Sequence, residues 1–399
     1  MIHLTNLQAR QFILLKQGLI GENKFIGKQG VLQYIQQSGC LQFDPVDICG
    51  KNAEISLQSR VKNFNKKMLY ELLYNDRLLF DYPDKQLSII PIECWPYFER
   101  YRKLAREKLV EHPEISAHIE EFYEYIEKNG AVCSDDFNIK GKTNWRSAIN
   151  WSGGGSLARS VLEQMYSMGD LIVHHKRGTR RYYDLARRNI PHEILDEQEP
   201  FPDDFAHQKW RVIRRIGAMG LVWNRQSGAW LNIWNLSTSI RREIFRELLA
   251  ENVISELSIE GLNTKLFFLT SDLPLVDKIK SESKFMPRCE LIAPLDPIMW
   301  DKKFIREIFG FKYLWEIYTP AEKREYGAYT LPILYGEQFI GRMEAVCYHK
   351  SNVMQVKRIW YEDSTILTKE ISRALVSTLE RFAEFNDSDI IIEEDVKII

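Results

Sequence analysis

The sequence predicts an α+β fold in which winged helix-turn-helix units stand in tandem ahead of a small β-rich domain with a closing helix. Three observations predict it. A helix–helix–helix–hairpin order occupies residues 114–185, and a similar order returns over 205–270. After Leu273-Pro274 the chain changes to β-branched and aromatic segments broken by glycines. Its 399 residues suffice for two to three domains at roughly 150 residues each. With 45% hydrophobic and 27% charged residues, the composition is globular and excludes wholesale disorder.

At the N-terminus Thr5 is a natural cap for a helix carrying Leu7, Phe12, Ile13, Leu14 and Leu15. A second helix is expected over 28–37, with Val31, Leu32 and Ile35 on one side and Gly39 as its stop. Residues 40–46 alternate and end against a proline, which reads as a short extended segment. Ile115, Ile119, Phe122, Tyr123 and Ile126 then set a helix that stops at Asn129-Gly130. Ser134-Asp135-Asp136 caps a short second helix, and Leu157, Val161, Leu162 and Met165 mark a third that Gly169 ends. Strands at 171–175 and 181–185 enclose Lys176-Arg177-Gly178-Thr179-Arg180 as a β-hairpin. The second copy has helices at 205–219, 229–234 and 239–250, then strands at 253–259 and 265–270 around Glu260-Gly261-Leu262-Asn263. Pro191, Pro200 and Pro202, with several acids, make 189–204 a linker. Segments 326–334, 338–345 and 353–361 supply the β-rich domain, a helix at 368–384 closes it, and an acidic, Ile-rich tail follows.

Charge narrows the function classes. The 54 basic residues against 55 acidic ones exclude a uniformly cationic binder. The average conceals unlike parts, because 141–189 holds nine Lys/Arg and three Asp/Glu, a net of +6, whereas 386–399 has five acids and one Lys, a net of −4. Lys176, Arg177, Arg180, Arg181 and Arg187 lie in or just after the predicted wing. Cations there either neutralise phosphates or form a solvated surface, and the winged-helix context favours nucleic acid. Six scattered cysteines form no CxxC, so neither a disulfide framework, a metal site nor a cofactor is expected. His174 and His175 are adjacent, which in a strand sends them to opposite faces, one buried and one exposed. No apolar run reaches the ~18–20 residues of a membrane span. The start of the chain lacks a basic-then-apolar leader, and a cytoplasmic, nucleoid-associated protein is expected.

Gln42-Phe43-Asp44 is the candidate for chemistry. In an extended segment Gln42 and Asp44 share a face and Phe43 anchors the other. A carboxylate beside an amide can activate and orient one water. The alternative is an Asp that only caps the turn before Pro45.

Longer motifs add to this reading. The run from Leu291 to Asp301, Ile-Ala-Pro-Leu-Asp-Pro-Ile-Met-Trp at its centre, is followed by Phe309-Gly310-Phe311, Glu316-Ile317-Tyr318-Thr319-Pro320-Ala321, Lys323-Arg324-Glu325-Tyr326-Gly327 and Leu331-Pro332-Ile333-Leu334. With Tyr182-Tyr183-Asp184-Leu185, and Leu41-Gln42-Phe43-Asp44 followed by Ser59-Arg60, these resemble the bacterial YcaQ/AlkZ family of winged-helix DNA glycosylases over essentially the whole chain. The resemblance implies three winged-helix units, at 1–110 with the catalytic motif, 111–190 with the basic wing and 203–275, then a β-rich domain at 285–399. It implies a monofunctional glycosylase that hydrolyses the N-glycosidic bond of N7-alkylpurines in double-stranded DNA, with the unhooking of interstrand crosslinks as a further candidate activity. Asp44 is then the base and Gln42 the water-orienting residue, in the Gln–apolar–Asp form, with no metal, cofactor or obligatory protein partner. Arg60 is expected on a phosphate beside the lesion, and Lys323, Arg324 and Tyr326 are candidates for the DNA side of the C-terminal domain. One departure stands out: Lys85 occupies the place of the family's His, as a phosphate contact or as a surface lysine of no consequence. A winged-helix transcriptional regulator that binds DNA without cutting it is the alternative function.

Overall fold

A computed structural model describes residues 2–146, 153–394, 396 and 398. Asp395 and Lys397 of the acidic tail lie outside the described residues. The chain divides into two compact units, Met1–Leu69 with Gln208–Ile399, and Tyr70–His207. Both mix helices and strands. Residues 70–110, grouped by the sequence with the N-terminal unit, thus cohere with 111–207, and the first 69 residues share a core with the C-terminal sheet. Among the described residues no helix is long and apolar enough to cross a membrane.

The Tyr70–His207 unit holds the helices Ile119–Asn129 and Leu157–Met168 and the hairpin Leu171–Arg177 with Arg180–Leu185, close to the sequence expectation. Between the helices a short 3₁₀ turn, Ser134–Asp136, stands where the second helix was expected, and an antiparallel strand pair, Lys142–Arg146 with Gly153–Ser156, follows it. Gly178 takes φ 59°, the left-handed conformation that a two-residue hairpin turn demands. A second antiparallel pair, Leu79–Pro83 with Leu87–Pro91, is tied to the long helix by Tyr82, whose hydroxyl donates to the Ser167 carbonyl at 2.9 Å. Tyr166 returns the contact to the Asp81 carbonyl at 2.9 Å.

The histidine pair departs from strand alternation. His175 pairs with Tyr182 but Val173 pairs with Tyr183, so His174 is the extra residue of a β-bulge. The two Nδ1 atoms therefore meet at 2.9 Å instead of pointing apart, and both rings are half-buried. Burial, together with nearby arginines, holds both below the usual imidazole pKa, which suits a neutral hydrogen-bonded pair.

In the other unit, Thr5 caps the helix Asn6–Gln17 through a reciprocal pair with Gln8, at 3.2 and 3.0 Å. The helices Gly27–Ser38 and Asn52–Gln58 follow. The helix Thr238–Ala250 precedes an antiparallel pair, Ile254–Ile259 with Leu266–Leu269, as the sequence expects. Ile2–Leu4 adds to that pair as a parallel strand, too short to be read from periodicity. A five-stranded sheet orders Cys289–Leu291, Thr330–Tyr335, Gln338–Tyr348, Val353–Tyr361 and Asp389–Ile392. The first three pairings are antiparallel and the last is parallel, so the start of the acidic tail becomes an edge strand. Leu375, Leu379 and Phe382 of the closing helix Lys369–Phe385 pack on this sheet together with Ile55 and Cys49.

One ion pair joins the N-terminal elements to this sheet. Arg60, just after the helix Asn52–Gln58, is 0% exposed and bonds Asp296 through both terminal nitrogens at 2.6 and 2.8 Å. It also donates to the Ser56 carbonyl at 2.9 Å and lies over the Tyr34 ring at 5.0 Å. Asp296 Oδ1 in turn accepts from the Ile298 N–H at 3.0 Å, closing the turn that leads away from it. Removing one partner of such a pair strands a buried charge. Asp296→Ala is therefore expected to lower unfolding free energy by about 3–5 kcal/mol in urea titrations, with the paired Arg60→Met and Asp296→Leu change recovering most of it.

Candidate active site

The strand Leu41–Gln42 ends where the candidate motif begins, and residues 43–46 are irregular. Asp44 and Gln42 are thus not presented as alternate residues of one strand. Instead Asp44 Oδ1 accepts from the Val46 N–H at 2.9 Å, an Asx turn ahead of the helix Asn52–Gln58. Capping the turn engages only one carboxylate oxygen. Asp44 remains half-buried, and burial pushes its carboxyl above the usual aspartate value of 3.8 while the Val46 hydrogen bond pulls it down.

Asn52, the first residue of that helix, sets the position of the motif. Its Nδ2 donates to the Gln42 carbonyl at 2.9 Å, and its Oδ1 accepts from the Leu295 N–H at 2.8 Å. One buried amide therefore fastens the catalytic candidates to the 291–301 run, while Arg60 and Asp296 fasten the far end of the same helix. Sequence reasoning passed over Asn52, although a polar residue in a helix this buried was a signal.

Between these elements lies a shallow crevice too tight to enclose a water molecule, lined by Asp44, Val46, Asn52, Pro294, Leu295, Trp315 and Tyr329. Gln42 is buried but does not line it. Trp315 is the residue the sequence reading missed here. Its indole Nε1–H is buried with no hydrogen-bond partner, an arrangement that costs about 1–3 kcal/mol. The strand Thr330–Tyr335 follows Tyr329, whose hydroxyl is held protonated by burial and then by the neighbouring Cys49, Tyr313, Asp44 and Asp47. The segment bearing Trp315 is clamped by Glu316. Its carboxylate accepts three backbone N–H groups, from Glu325 at 2.8 Å, Tyr326 at 2.9 Å and Gly327 at 3.2 Å. A half-buried carboxylate with one oxygen free of the turn can take a proton from a water at the mouth of this crevice.

The basic candidates separate into two classes. Arg60 is not available to a phosphate, because it is fully enclosed and both terminal nitrogens are bonded to Asp296. Lys176 and Arg181 face one another across the wing strands, on its inner side. Lys176 pairs with buried Asp81 at 2.8 Å, and Arg181 is largely buried beside the hydroxyls of Tyr183 and Tyr166. The register thus sets these two, half-buried, against partners within the unit. Arg177 and Arg180 face one another at the exposed tip. Arg177 lies over the Tyr182 ring at 5.0 Å, and Arg180 meets exposed Asp135 at 2.7 Å. Arg187 pairs with exposed Glu127. Lys85 is 5% exposed in the turn between Leu79–Pro83 and Leu87–Pro91, so it is neither a surface lysine nor open to a phosphate.

In the sheet-bearing unit Lys323 is exposed. Arg324 is half-buried and donates to the Thr319 carbonyl at 2.8 Å. Tyr326 packs its ring 3.9 Å from the Arg342 guanidinium and edge-on to Trp360, which makes it part of the domain's packing. Among the described residues no group of three or more His, Cys, Asp or Glu gathers as metal ligands.

Residues 35–385 match the family model described as DNA glycosylase AlkZ-like. Among solved structures the chain is similar to Streptomyces sahachiroi DNA glycosylase AlkZ, with a TM-score of 0.62 at 14% identity, over 98% of this chain and 100% of that one. At that identity the likeness is one of fold.

The raised Asp44 pKa carries a sign for stability. A carboxyl that binds its proton more tightly folded than unfolded loses stability as pH rises from the unfolded pKa through the folded one. Above that window the ionised group remains a liability of the native state. Asp44→Asn keeps the Val46 acceptor and removes the charge, so at neutral pH it is expected to melt at the same temperature as the unaltered protein or higher. A lower Tm by calorimetry would contradict this.

Proposed function

The chain belongs to the AlkZ-like DNA glycosylase family, and from that membership we propose that it excises N7-alkylated purines from double-stranded DNA. The carrying observation is the Asp44 carboxylate, half-buried in a crevice, with one oxygen given to a turn and its pKa lifted by burial. In this reading Asp44 takes a proton from water as the water oxygen bonds to C1′. The C1′–N9 bond breaks, its electron pair goes to the purine, and a neutral alkylpurine leaves behind an abasic sugar. A cationic alkylpurine is already a good leaving group, so an oriented water and a nearby negative charge supply what remains. Gln42 is the water-orienting residue by its place in the Gln–apolar–Asp motif, and Asn52 holds its backbone carbonyl. No lysine nucleophile enters, so the enzyme is monofunctional. Interstrand crosslinks through the same N7 position are further substrates.

The fold reads as three winged-helix units, 1–110, 111–190 and 203–275, and a β-rich domain at 285–399. The hairpins Leu171–Leu185 and Ile254–Leu269 support the second and third of these units, whereas residues 70–110 cluster with 111–207. Duplex phosphates meet the wing tip at Arg177 and Arg180, the two wing cations on its exposed end.

Asp44→Asn is expected to bind alkylated duplex normally and to lose release of N7-methylguanine by roughly 10²- to 10⁴-fold in single turnover. Release at the unaltered rate removes Asp44 from the mechanism. The pH profile of kcat/KM should fall on its acid limb at a pH above the usual aspartate value, because the proton-accepting form is lost there. Arg177→Glu with Arg180→Glu should reduce the slope of log affinity against log salt by about one per lost phosphate contact. An unchanged slope takes the wing off the DNA. Alkali treatment of alkylated DNA incubated with the protein separates a glycosylase, which yields strand breaks, from a regulator, which yields none.

A further inference from the structure

The segment that carries Trp315 presents two unlike faces. Trp315 turns inward to line the crevice with Asp44. On either side of it Leu314 and Tyr318 turn outward, 52% and 82% exposed. Tyr318 is among the most exposed large apolar side chains of the described residues, and its ring stands edge-on to Trp315 at 5.7 Å and 73°. Trp315 itself is edge-on to buried Tyr329 at 6.2 Å. The segment is rigid by construction, because the buried Glu316 carboxylate between Trp315 and Ile317 holds three backbone N–H groups of 325–327. Ile317 packs into the core beneath the sheet. A stiff segment thus holds an exposed aromatic ring and a leucine beside the narrow crevice of the candidate carboxylate.

We propose that Tyr318, with Leu314 beside it, is a wedge that enters duplex DNA at the lesion and stacks on a base there. This rests on the glycosylase reading above. The C1′ of a damaged nucleotide lies within a stacked duplex, and the crevice is too narrow to admit the helix. The stack must therefore be opened at the crevice mouth for C1′ to reach Asp44. Apolar side chains inserted between base steps do this, and an aromatic ring replaces the lost stacking without regard to sequence. Exposed Lys323, farther along the same clamped segment, supplies a cation for a flanking phosphate. Trp315, with its buried and unpartnered N–H in the crevice, marks the same segment as shaped for a ligand.

The side chains of Tyr318 and Leu314 are exposed, so their replacement leaves the fold intact. Tyr318→Ala is expected to slow release of N7-methylguanine from duplex roughly 5- to 100-fold in single turnover, the scale of one stacked base. Tyr318→Phe, which keeps the ring, should restore it. On single-stranded DNA, where the base is already unstacked, Tyr318→Ala should match the unaltered protein. A 2-aminopurine beside the lesion should brighten on binding of the unaltered protein and Asp44→Asn, and stay dim with Tyr318→Ala. The wedge is overturned if Tyr318→Ala acts at full rate on duplex, or loses the same factor on duplex and single strand. Absence of base release by the unaltered protein would defeat the glycosylase reading instead, and the fluorescence readout would still decide whether Tyr318 opens the stack.

Discussion

The sheet-bearing unit depends on the pair Arg60–Asp296. Both side chains are fully enclosed and the guanidinium is matched by two carboxylate oxygens. Burying two charges carries a desolvation cost that only good geometry and further hydrogen bonds offset. Both are present. Arg60 also reaches the Ser56 carbonyl and the Tyr34 face, and Asp296 also closes its own turn on Ile298. The consequence is register. Residues 236 positions apart are held in one arrangement, and the helix Asn52–Gln58 cannot slide along the 291–301 run without breaking both.

That helix carries the order from the ion pair to the site. Its C-terminal end is set by Arg60, its N-terminal end by Asn52, and Asn52 grips the Gln42 carbonyl on one side and Leu295 on the other. Asp44 is then placed by a short turn, on the wall of the crevice that Trp315 and Tyr329 also line. Among the described residues the polar side chains that line the crevice with Asp44 are neutral: an indole, a phenol held protonated and an amide. A carboxylate kept without a cationic partner retains its basicity, which is what proton removal from water requires. The long 291–331 motif thus emerges as the frame of the site, and its conspicuous acids, Asp296, Asp301 and Glu316, are all spent on structure.

The local elements were legible from spacing and caps. Leu157–Met168 ends at Gly169, and the wing turns at Gly178, because these glycines adopt positive φ at 82° and 59°. The histidine pair was misread because one extra residue in the strand reverses alternation, and a bulge leaves no mark in composition. The wing shows the same limit for charge. Its four central cations look alike in sequence, yet the pairing of strands sends Lys176 and Arg181 inward and leaves Arg177 and Arg180 at the tip. Arg60 and Lys85 were both expected at the surface or on a phosphate, and both are buried.

By itself, then, the sequence determined the helices Ile119–Asn129, Leu157–Met168 and Thr238–Ala250, the hairpins that follow the last two, and the family, and it pointed to the carboxylate to watch. Each is written in neighbouring residues, as a period, a cap or a contiguous motif. Tertiary structure alone decided which cations are exposed, which amide holds the motif, that Trp315 lines a crevice with Asp44, and that Tyr318 stands edge-on to Trp315. Those outcomes depend on partners far away in the chain, such as Asp296 for Arg60 and Asp81 for Lys176. The physical reason is that propensity acts within a few residues, whereas the fate of a charge or an aromatic ring is set by whatever folding brings against it.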